Sequence, residues 1–445
     1  MVHSMTTPPA STLPHALAAA IERVRGIAGS SLLQKSGLSV LDQAVVSGSS
    51  FATSIILSRS SSREELGAYY LALSIVFFAR GVQEQVISAP YMIYCSRKQG
   101  AALAQYAGSS LLHQCGMMLF TAGMLAAALA LGIVPLDLRA GLWTLVLAAP
   151  LLLMRDFLRQ MCFAHLQTQG ALVLDAVVAT VQLGGLATLA ASGGLTVPAT
   201  LTVMAVAAGV PAAVWLTRMP QPMAGRLPAA VRDFVFNWTF ARWALASQLL
   251  ASTTPYVMPW VVAFTHGQAE TGTLGACMTL VGLANMFLLG LCNYLSPRAA
   301  RAFSEGGLEE LQGVLTKTAL LFGLSLGSIA LAGFAVGGPI AALVYGPQFG
   351  GTGVVIGVLS LGVLANSVGV TAGNGLWALE RPSANFAADL VALVFVIPTT
   401  VLLVPRLGPL GAALAILSGT TADAIVRMWI LRQTMREFAA RRLAA

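Results

Sequence analysis

Charge is what this chain lacks. Asp, Glu, Lys and Arg make up 9% of its 445 residues, against 57% hydrophobic, whereas a soluble domain carries roughly 25% charged residues. Most of its surface therefore cannot face water. Lysine is scarcer still, at 35, 98 and 317. None closes a G-x-x-x-x-G-K-[ST] loop, which excludes ATP hydrolysis on a P-loop. The histidines, His3, His15, His113, His165 and His266, show no H-E-x-x-H or other metal-ligand spacing. The one G-x-S-x-G match, Gly323-Leu324-Ser325-Leu326-Gly327, lies inside an uninterrupted apolar run and not at a strand-to-helix turn, so it is no nucleophile elbow. No catalytic residue, metal or cofactor is expected. The cysteines are Cys95, Cys115, Cys162, Cys277 and Cys292; all fall in apolar runs or on the basic side, and no disulfide is expected. Barrel-like alternation is missing too: LLFGLSLGSIALAGFAV is apolar on every side.

What the chain does have is one apolar stretch after another, each near the ~20 residues that cross a bilayer. Backbone groups in lipid must pair within their own segment, so these stretches are helices. The expectation is an all-α integral membrane protein of about 12 transmembrane helices in two six-helix bundles. The spans fall at 38–58, 67–93, 103–133, 140–160, 170–192 and 198–217, then 238–263, 272–296, 318–345, 353–378, 384–404 and 410–431. With twelve spans the loops alternate sides. About 20 of the 25 basic residues then share one side with both ends of the chain; the other side keeps Arg59, Arg63, Arg139 and Arg406. By the positive-inside rule both termini are cytoplasmic. The net charge of +8 is thus a topology signal, and no nucleic-acid partner is expected. The first 35 residues are polar, with Pro8, Pro9 and Pro14, and do not resemble a cleavable signal peptide.

The organisation reads as a cytoplasmic segment 1–37, a bundle 38–217, a cytoplasmic linker 218–237, a second bundle 238–431 and a basic tail 432–445. The two longest internal loops, 218–237 and 297–317, are basic and cytoplasmic. The bundles look like copies. Glu65-Leu66-Gly67 opens the second span and Glu270-Thr271-Gly272 the eighth; Pro90 matches Pro297; Asp175 and Asp389 each lie about a turn into the fifth and eleventh spans. Each half has an even number of spans, so the repeat is a parallel pseudo-two-fold about the membrane normal.

A charge at the bilayer centre costs about 2.5–3.5 kcal/mol even on insertion scales, so ionisable residues inside spans mark a cavity or a partner. Arg80 and Glu84, four apart on the second span, form with Gln83 and Gln85 a polar patch in FFARGVQEQVIS. Two readings stand: an internal ion pair, or the lining of a substrate lumen in which the Arg fork suits phosphate or sugar hydroxyls. Arg59, Tyr256 and Arg242 are further lumen candidates, Arg242 also reading as an interface anchor. Tyr256 stands between Pro255 and Pro259, which mark an irregular span. Asp42, Arg155, Asp156, Arg159, Asp175 and Asp389 are placed at the cytoplasmic entrance. The alternatives there are headgroup-level anchoring for Arg155 and Arg159, and helix orientation for Asp175 and Asp389. His113 reads as a satisfied packing residue.

The opening LDQAVVSGSSFATSIILSRSSSREELGAYYLALS resembles that of Wzx-type polysaccharide flippases, with a polar Asp-Gln start, Arg59 and a Glu-x-Gly-x-Tyr-like turn. RDFLRQMCFAHLQTQGALVLDAV is similar to that family's Arg-rich fourth-span end leading to an Asp. PRAARAFSEGG, YGPQFGGTG, ALERPSANFAADLV and LVPRLGPLGAALA continue the likeness over about 36–435. The resemblance implies the multidrug, oligosaccharidyl-lipid and polysaccharide exporter superfamily, two bundles in a V, and alternating access. It also implies an undecaprenyl-pyrophosphate-linked oligosaccharide as cargo, with a polysaccharide polymerase and chain-length regulator as partners. Coupling to an ion gradient through Glu84 or Asp175 is one expectation. The rival readings are a drug/cation antiporter of the same superfamily, a lipid II flippase, a membrane polysaccharide polymerase or ligase, and a scaffold.

Overall fold

The structure is a computed structural model, and it describes residues 31–219 and 223–444. Within them lie twelve helices. In the first half these are α1 Ser31–Ser60, α2 Arg63–Arg97, α3 Gly100–Ala130, α4 Arg139–Ala164, α5 Thr168–Ala191 and α6 Val197–Arg218. The second half has α7 Leu227–His266, a helical run Gln268–Tyr345, α10 Gly353–Ala378, α11 Pro382–Leu407 and α12 Pro409–Ala444. The Gln268–Tyr345 run is two helices, α8 (268–306) and α9 (308–345), parted only by Gly307 at φ 68°. That left-handed value is open to glycine without the Cβ clash other residues meet. Nine helices among the described residues are long and apolar enough to cross a membrane. Large apolar side chains such as Leu119, Phe120, Leu147, Leu324 and Val401 stand exposed on their outer faces, as lipid contact requires. The chain is a multi-pass membrane protein.

Two expected loops are largely helix. Residues 297–317 continue α8 and begin α9, and the expected linker 218–237 is helical from Leu227. Helix beyond the bilayer costs the backbone nothing, and the charged side chains there pair across it: Arg298 with Glu310 at 3.6 Å and Arg301 with Glu305 at 3.8 Å. The start of α7 also does more than link. Ala224 donates to the Ala104 carbonyl at 2.9 Å, Tyr106 Oη donates to Asn237 Oδ1 at 2.9 Å, and His113 Nε2 lies 2.8 Å from the Ala230 carbonyl. The first turns of α7 therefore dock on α3 of the other half. His113 packs there as expected, though its Nδ1 has no partner. Pro255 and Pro259 lie inside α7 without ending it; Thr271 Oγ1 lies 3.4 Å from the Pro259 carbonyl.

The repeat is visible in the backbone. Among the described residues, Leu166 and Glu380 are the two non-glycine residues with positive φ, 56° and 59°. They occupy the turns α4–α5 and α10–α11 at an offset of 214 residues (166 to 380). That offset also relates Asp175 to Asp389. Around them the turn hydrogen bonds coincide: 165, 166 and 167 donate to 161, 163 and 162, and 379, 380 and 381 donate to 375, 377 and 376. A second correspondence runs through α2 and α8 at an offset of 205 residues (65 to 270). A Cβ on Gly67 would lie 1.9 Å from the Gln268 carbonyl oxygen, and one on Gly272 would lie 2.4 Å from the Arg63 carbonyl oxygen. Residues 63 and 268 are themselves equivalents, so this crossing straddles the pseudo-two-fold axis.

The two ends of the bundle differ. One carries Arg97, Arg218, Arg298 and Arg436, and the other Arg59, Arg139 and Arg406. Apart from the docking of the first turns of α7 on α3, contacts between the halves gather at the arginine-poor end. Besides the glycine crossing, Tyr70 Oη bonds Thr279 Oγ1 at 2.8 Å and Trp260 Nε1 donates to Ser74 Oγ at 2.8 Å. Arg59 donates to the carbonyls of Leu343 and Val344, and Gln268 to Asp137. A shared core of Leu57, Leu66, Tyr69, Leu145, Tyr345 and Phe349 lies beneath them. The structure is sealed at the arginine-poor end.

Candidate functional site

The sequence puts Arg155, Asp156 and Arg159 on neighbouring turns of α4, Asp175 seven residues into α5, Asp42 on α1 and Arg80 on α2. The fold joins all six into one chain of ion pairs. Arg159 Nη2 donates to Asp42 Oδ2 at 2.5 Å and its Nε to Asp175 Oδ2 at 2.6 Å. Arg155 Nη2 donates to Asp175 Oδ1 at 2.5 Å and its Nη1 to Asp156 Oδ1 at 3.1 Å. Asp156 Oδ2 reaches Arg80 Nε at 3.3 Å. Three carboxylates thus alternate with three guanidiniums across α1, α5, α4 and α2. The sum of charge is zero, which is how six ionised groups persist where a lone charge is costly. Each Arg155 and Arg159 fork spans two carboxylates, a geometry an ammonium does not offer.

The ladder has a buried end and an open end. Asp42 and Asp175 are fully buried, while the Arg80 side chain is 31% exposed. Arg80 is the middle residue of the 35-residue α2. It also lies where the halves meet: a Cβ on the adjacent Gly81 would sit 2.7 Å from Gln248 Nε2 of α7. Tyr256 of α7 is half-buried, 6.2 Å ring to ring from Phe77, and near enough to feel the charges of Arg80 and Glu84. One turn further, α2 opens into a π-turn, Glu84–Ser88, ahead of Pro90. Proline lacks the amide that would continue the α ladder, and Ala89 donates instead to the Glu84 carbonyl. Such turns recur at functional positions of helices.

Several expectations need correction. Asp42, Arg155, Asp156, Arg159 and Asp175 are not a separate entrance but the same network as Arg80. Arg155 and Arg159 are not headgroup anchors, because both guanidiniums are spent on buried aspartates. Arg80 does not pair with Glu84, which stays exposed; Asp156 takes its place. Gln83 does not line a lumen: it is buried and donates to the Leu153 carbonyl at 3.1 Å. Arg59 caps the last carbonyls of α9 at the sealed end. Arg242 is exposed, its guanidinium 5.6 Å from the Trp243 ring.

The second half holds a smaller cluster that the sequence reading found only in part. Arg427 Nη2 donates to Asp389 Oδ1 at 2.5 Å and its Nε to Asp423 Oδ1 at 2.8 Å. The trio borders a cavity of about 540 Å³, lined also by Asn285, Asn366, Thr254 and Thr420. Two carboxylates face one guanidinium, so this cavity carries excess negative charge. Asp423 and Arg427 went unnoticed although they repeat the four-residue spacing that singled out Arg80 and Glu84. No group of metal-ligating residues occurs among the described residues. In the α4–α5 turn, His165 Nε2 bonds Tyr91 Oη at 2.7 Å, and burial holds its imidazole below the usual pKa.

Twelve helices in two bundles related by a parallel two-fold, sealed at one end and ion-paired between helices, define the fold of a membrane transporter. It is the fold of the MOP superfamily. The inward closed conformation of the lipid II flippase MurJ superposes with a TM-score of 0.74 at 14% identity, covering 90% of this chain and 87% of that one. An inward-facing multidrug resistance MATE family transporter of the MOP superfamily gives 0.70 at 13% identity, over 89% and 96%. The outward-facing conformation of such a transporter gives 0.60 at 14%, over 89% and 93%. In sequence, the capsular polysaccharide biosynthesis protein CapF of Staphylococcus aureus is 23% identical over 172 residues, 38% of this chain. That match spans 43% of CapF, less than half its length. No family model matches the chain.

Proposed function

We propose that this protein flips an undecaprenyl-pyrophosphate-linked oligosaccharide from the inner to the outer leaflet for assembly of an extracellular or capsular polysaccharide or O-antigen. The observation that carries this reading is Arg80: a partly open guanidinium midway along α2, where the two halves meet, at the end of a neutral ladder. It suits a diphosphate, while the glycan occupies the polar interface and the polyprenyl tail stays in lipid. The arginine-rich end is taken as cytoplasmic, with both termini there, so the sealed end faces outward and the cargo enters from inside. The partial likeness to a capsular polysaccharide biosynthesis protein supports the cargo class. No covalent step is required. Coupling to an ion gradient falls better to Glu84, exposed beside Arg80, than to Asp175, which two guanidiniums clamp. The polymerase and chain-length regulator of the same assembly line are the expected partners.

Deleting the gene tests this. Complete lipid-linked repeat units should accumulate on the cytoplasmic leaflet and surface polysaccharide should vanish, with rescue by wild type and not by Arg80→Ala. A second reading, export of organic cations, draws on the carboxylate excess around the cavity of the second half. Normal surface polysaccharide with raised sensitivity to cationic drugs in the deletion strain would replace the first reading by the second.

A further inference from the structure

We infer that Asp156 is a built-in place-holder for the cargo's anionic group on Arg80, and that it sets the charge an incoming anion must carry to be accepted. The inference rests on the flippase reading for the identity of the cargo, but its physical content lies in the ladder alone. Link lengths run 2.5, 2.6, 2.5, 3.1 and 3.3 Å from Asp42 to Arg80. Solvent access is greatest at the same end, 31% at Arg80 against at most 14% for the other five members. The outermost contact is therefore the longest and the most hydrated. It exceeds the 2.7–2.9 Å usual for a charge-assisted hydrogen bond. It is the link most open to another anion.

The rest of the ladder is fitted to survive its loss. Asp156 keeps Arg155 through Oδ1 when Oδ2 leaves Arg80. Arg155 also has donor capacity in hand, since its buried Nε has no partner. The four inner links, which tie α1, α5 and α4, remain. What changes is Arg80, on the helix that packs against α7 through Gly81 and Gln248. Exchange of Asp156 for a cargo anion thus removes the charged tie between α2 and α4 near the contact between the halves, leaving the buried Gln83–Leu153 hydrogen bond and the braced first bundle in place.

The exchange also imposes a threshold. Asp156 competes as a tethered anion that loses no translational freedom on binding. A singly charged phosphodiester, the headgroup chemistry of abundant phospholipids, offers no more charge than the carboxylate it must displace. A pyrophosphate offers more charge and several oxygens to one fork. The resident aspartate therefore favours pyrophosphate-linked lipids over the bulk bilayer, and keeps Arg80 compensated when no cargo is present.

The test is binding to the full-length protein in nanodiscs of zwitterionic lipid, with inorganic pyrophosphate and dimethyl phosphate as the two probes in calorimetric titrations. Wild type should bind pyrophosphate and largely ignore dimethyl phosphate. Asp156→Asn keeps the shape and removes the competing charge; it should tighten dimethyl phosphate about tenfold or more, the scale of one hydrogen bond to a charged group, and narrow the preference. Arg80→Ala should lose both probes, and Arg242→Ala should behave as wild type. Asp156→Glu, which retains the charge should Asp156→Asn fail to fold, should keep the wild-type preference. An unchanged ratio in Asp156→Asn, or pyrophosphate binding that persists in Arg80→Ala, overturns the proposal. If the probes behave as expected while the deletion strain accumulates no lipid-linked oligosaccharide, the place-holder stands and the flippase reading fails.

Discussion

At the turn between α4 and α5, and again between α10 and α11, the two halves place a non-glycine residue in the left-handed region and close the same three hydrogen bonds. Carried one to three turns back along the helix, the same offset pairs Arg155 with Gly369 and Arg159 with Gly373. Where the first half projects two guanidiniums from α4, the second has two glycines on α10. A Cβ on Gly369 would lie 2.6 Å from Asp423 Oδ2, and one on Gly373 would lie 2.7 Å from Arg427 Nη1. The glycines make room for an arginine and an aspartate that come from α12. One backbone plan has thus been filled with charge from two different helices. The first filling is neutral, buried and joins four helices; the second is acidic, joins two, and leaves a cavity. The lesson is that a repeat constrains where the chain goes far more tightly than what it carries there.

The symmetric seal offers the sharpest way to break this comparison. Gly67→Leu and Gly272→Leu should be equally damaging, because each drives a side chain into the other copy's backbone. Both should abolish transport and expose Cys277, buried at 2% in the sealed structure, to an impermeant maleimide added from outside. Unequal labelling would mean the crossing is not a true two-fold.

Next comes the contrast between the aspartates. Asp175→Ala strips partners from two guanidiniums and should cost about 3–5 kcal/mol, as for other broken buried pairs. Asp389→Ala removes one link from a carboxylate that is 41% exposed, and should cost under about 1 kcal/mol. Thermal unfolding in detergent reads the difference; equal losses would show that the second cluster is as structural as the first.

A smaller effect tests the glycine notch. Gly373→Ala should cost about 1–3 kcal/mol by overpacking, and Arg427→Ala in the same chain should restore part of it, since only neighbours couple. Purely additive losses would deny the contact.

The smallest effect concerns His165. Burial holds the folded imidazole below its unfolded pKa of about 6.5, so the unfolded chain binds protons first as pH falls. Stability is full above pH 6.5 and declines below it. His165→Leu, which installs the residue found at the equivalent Leu379, should flatten that decline while costing about 1 kcal/mol at neutral pH from the stranded Tyr91 hydroxyl.

The helices, their number and the repeat were legible because hydropathy is local and a bilayer leaves helices as the only spanning answer in a run such as residues 320–336. Gly67 and Asp175 were legible as repeat markers because their equivalents stand in the same register. The ladder was not. Its six members were recognised singly, but Asp42 and Arg159 are 117 residues apart, and apolar spans carry little information on which faces meet. Hence Arg80 was matched to its helical neighbour Glu84 in place of Asp156. The loops were misread for a related reason: past the bilayer, composition no longer separates a charged helix from a charged coil, and only Gly307 marks the break.

The crossing of α2 and α8 has a further implication. Residue 63 meets 272 and residue 268 meets 67, so the contact is isologous, the kind a single surface makes with a rotated copy of itself. A six-helix chain bearing one such glycine patch already contains everything needed to close a gate, provided two copies meet. The molecule is in this sense a tethered homodimer whose symmetry survives at this crossing, where each side must fit the other, and has lapsed around the buried charges, where each side answers only to itself.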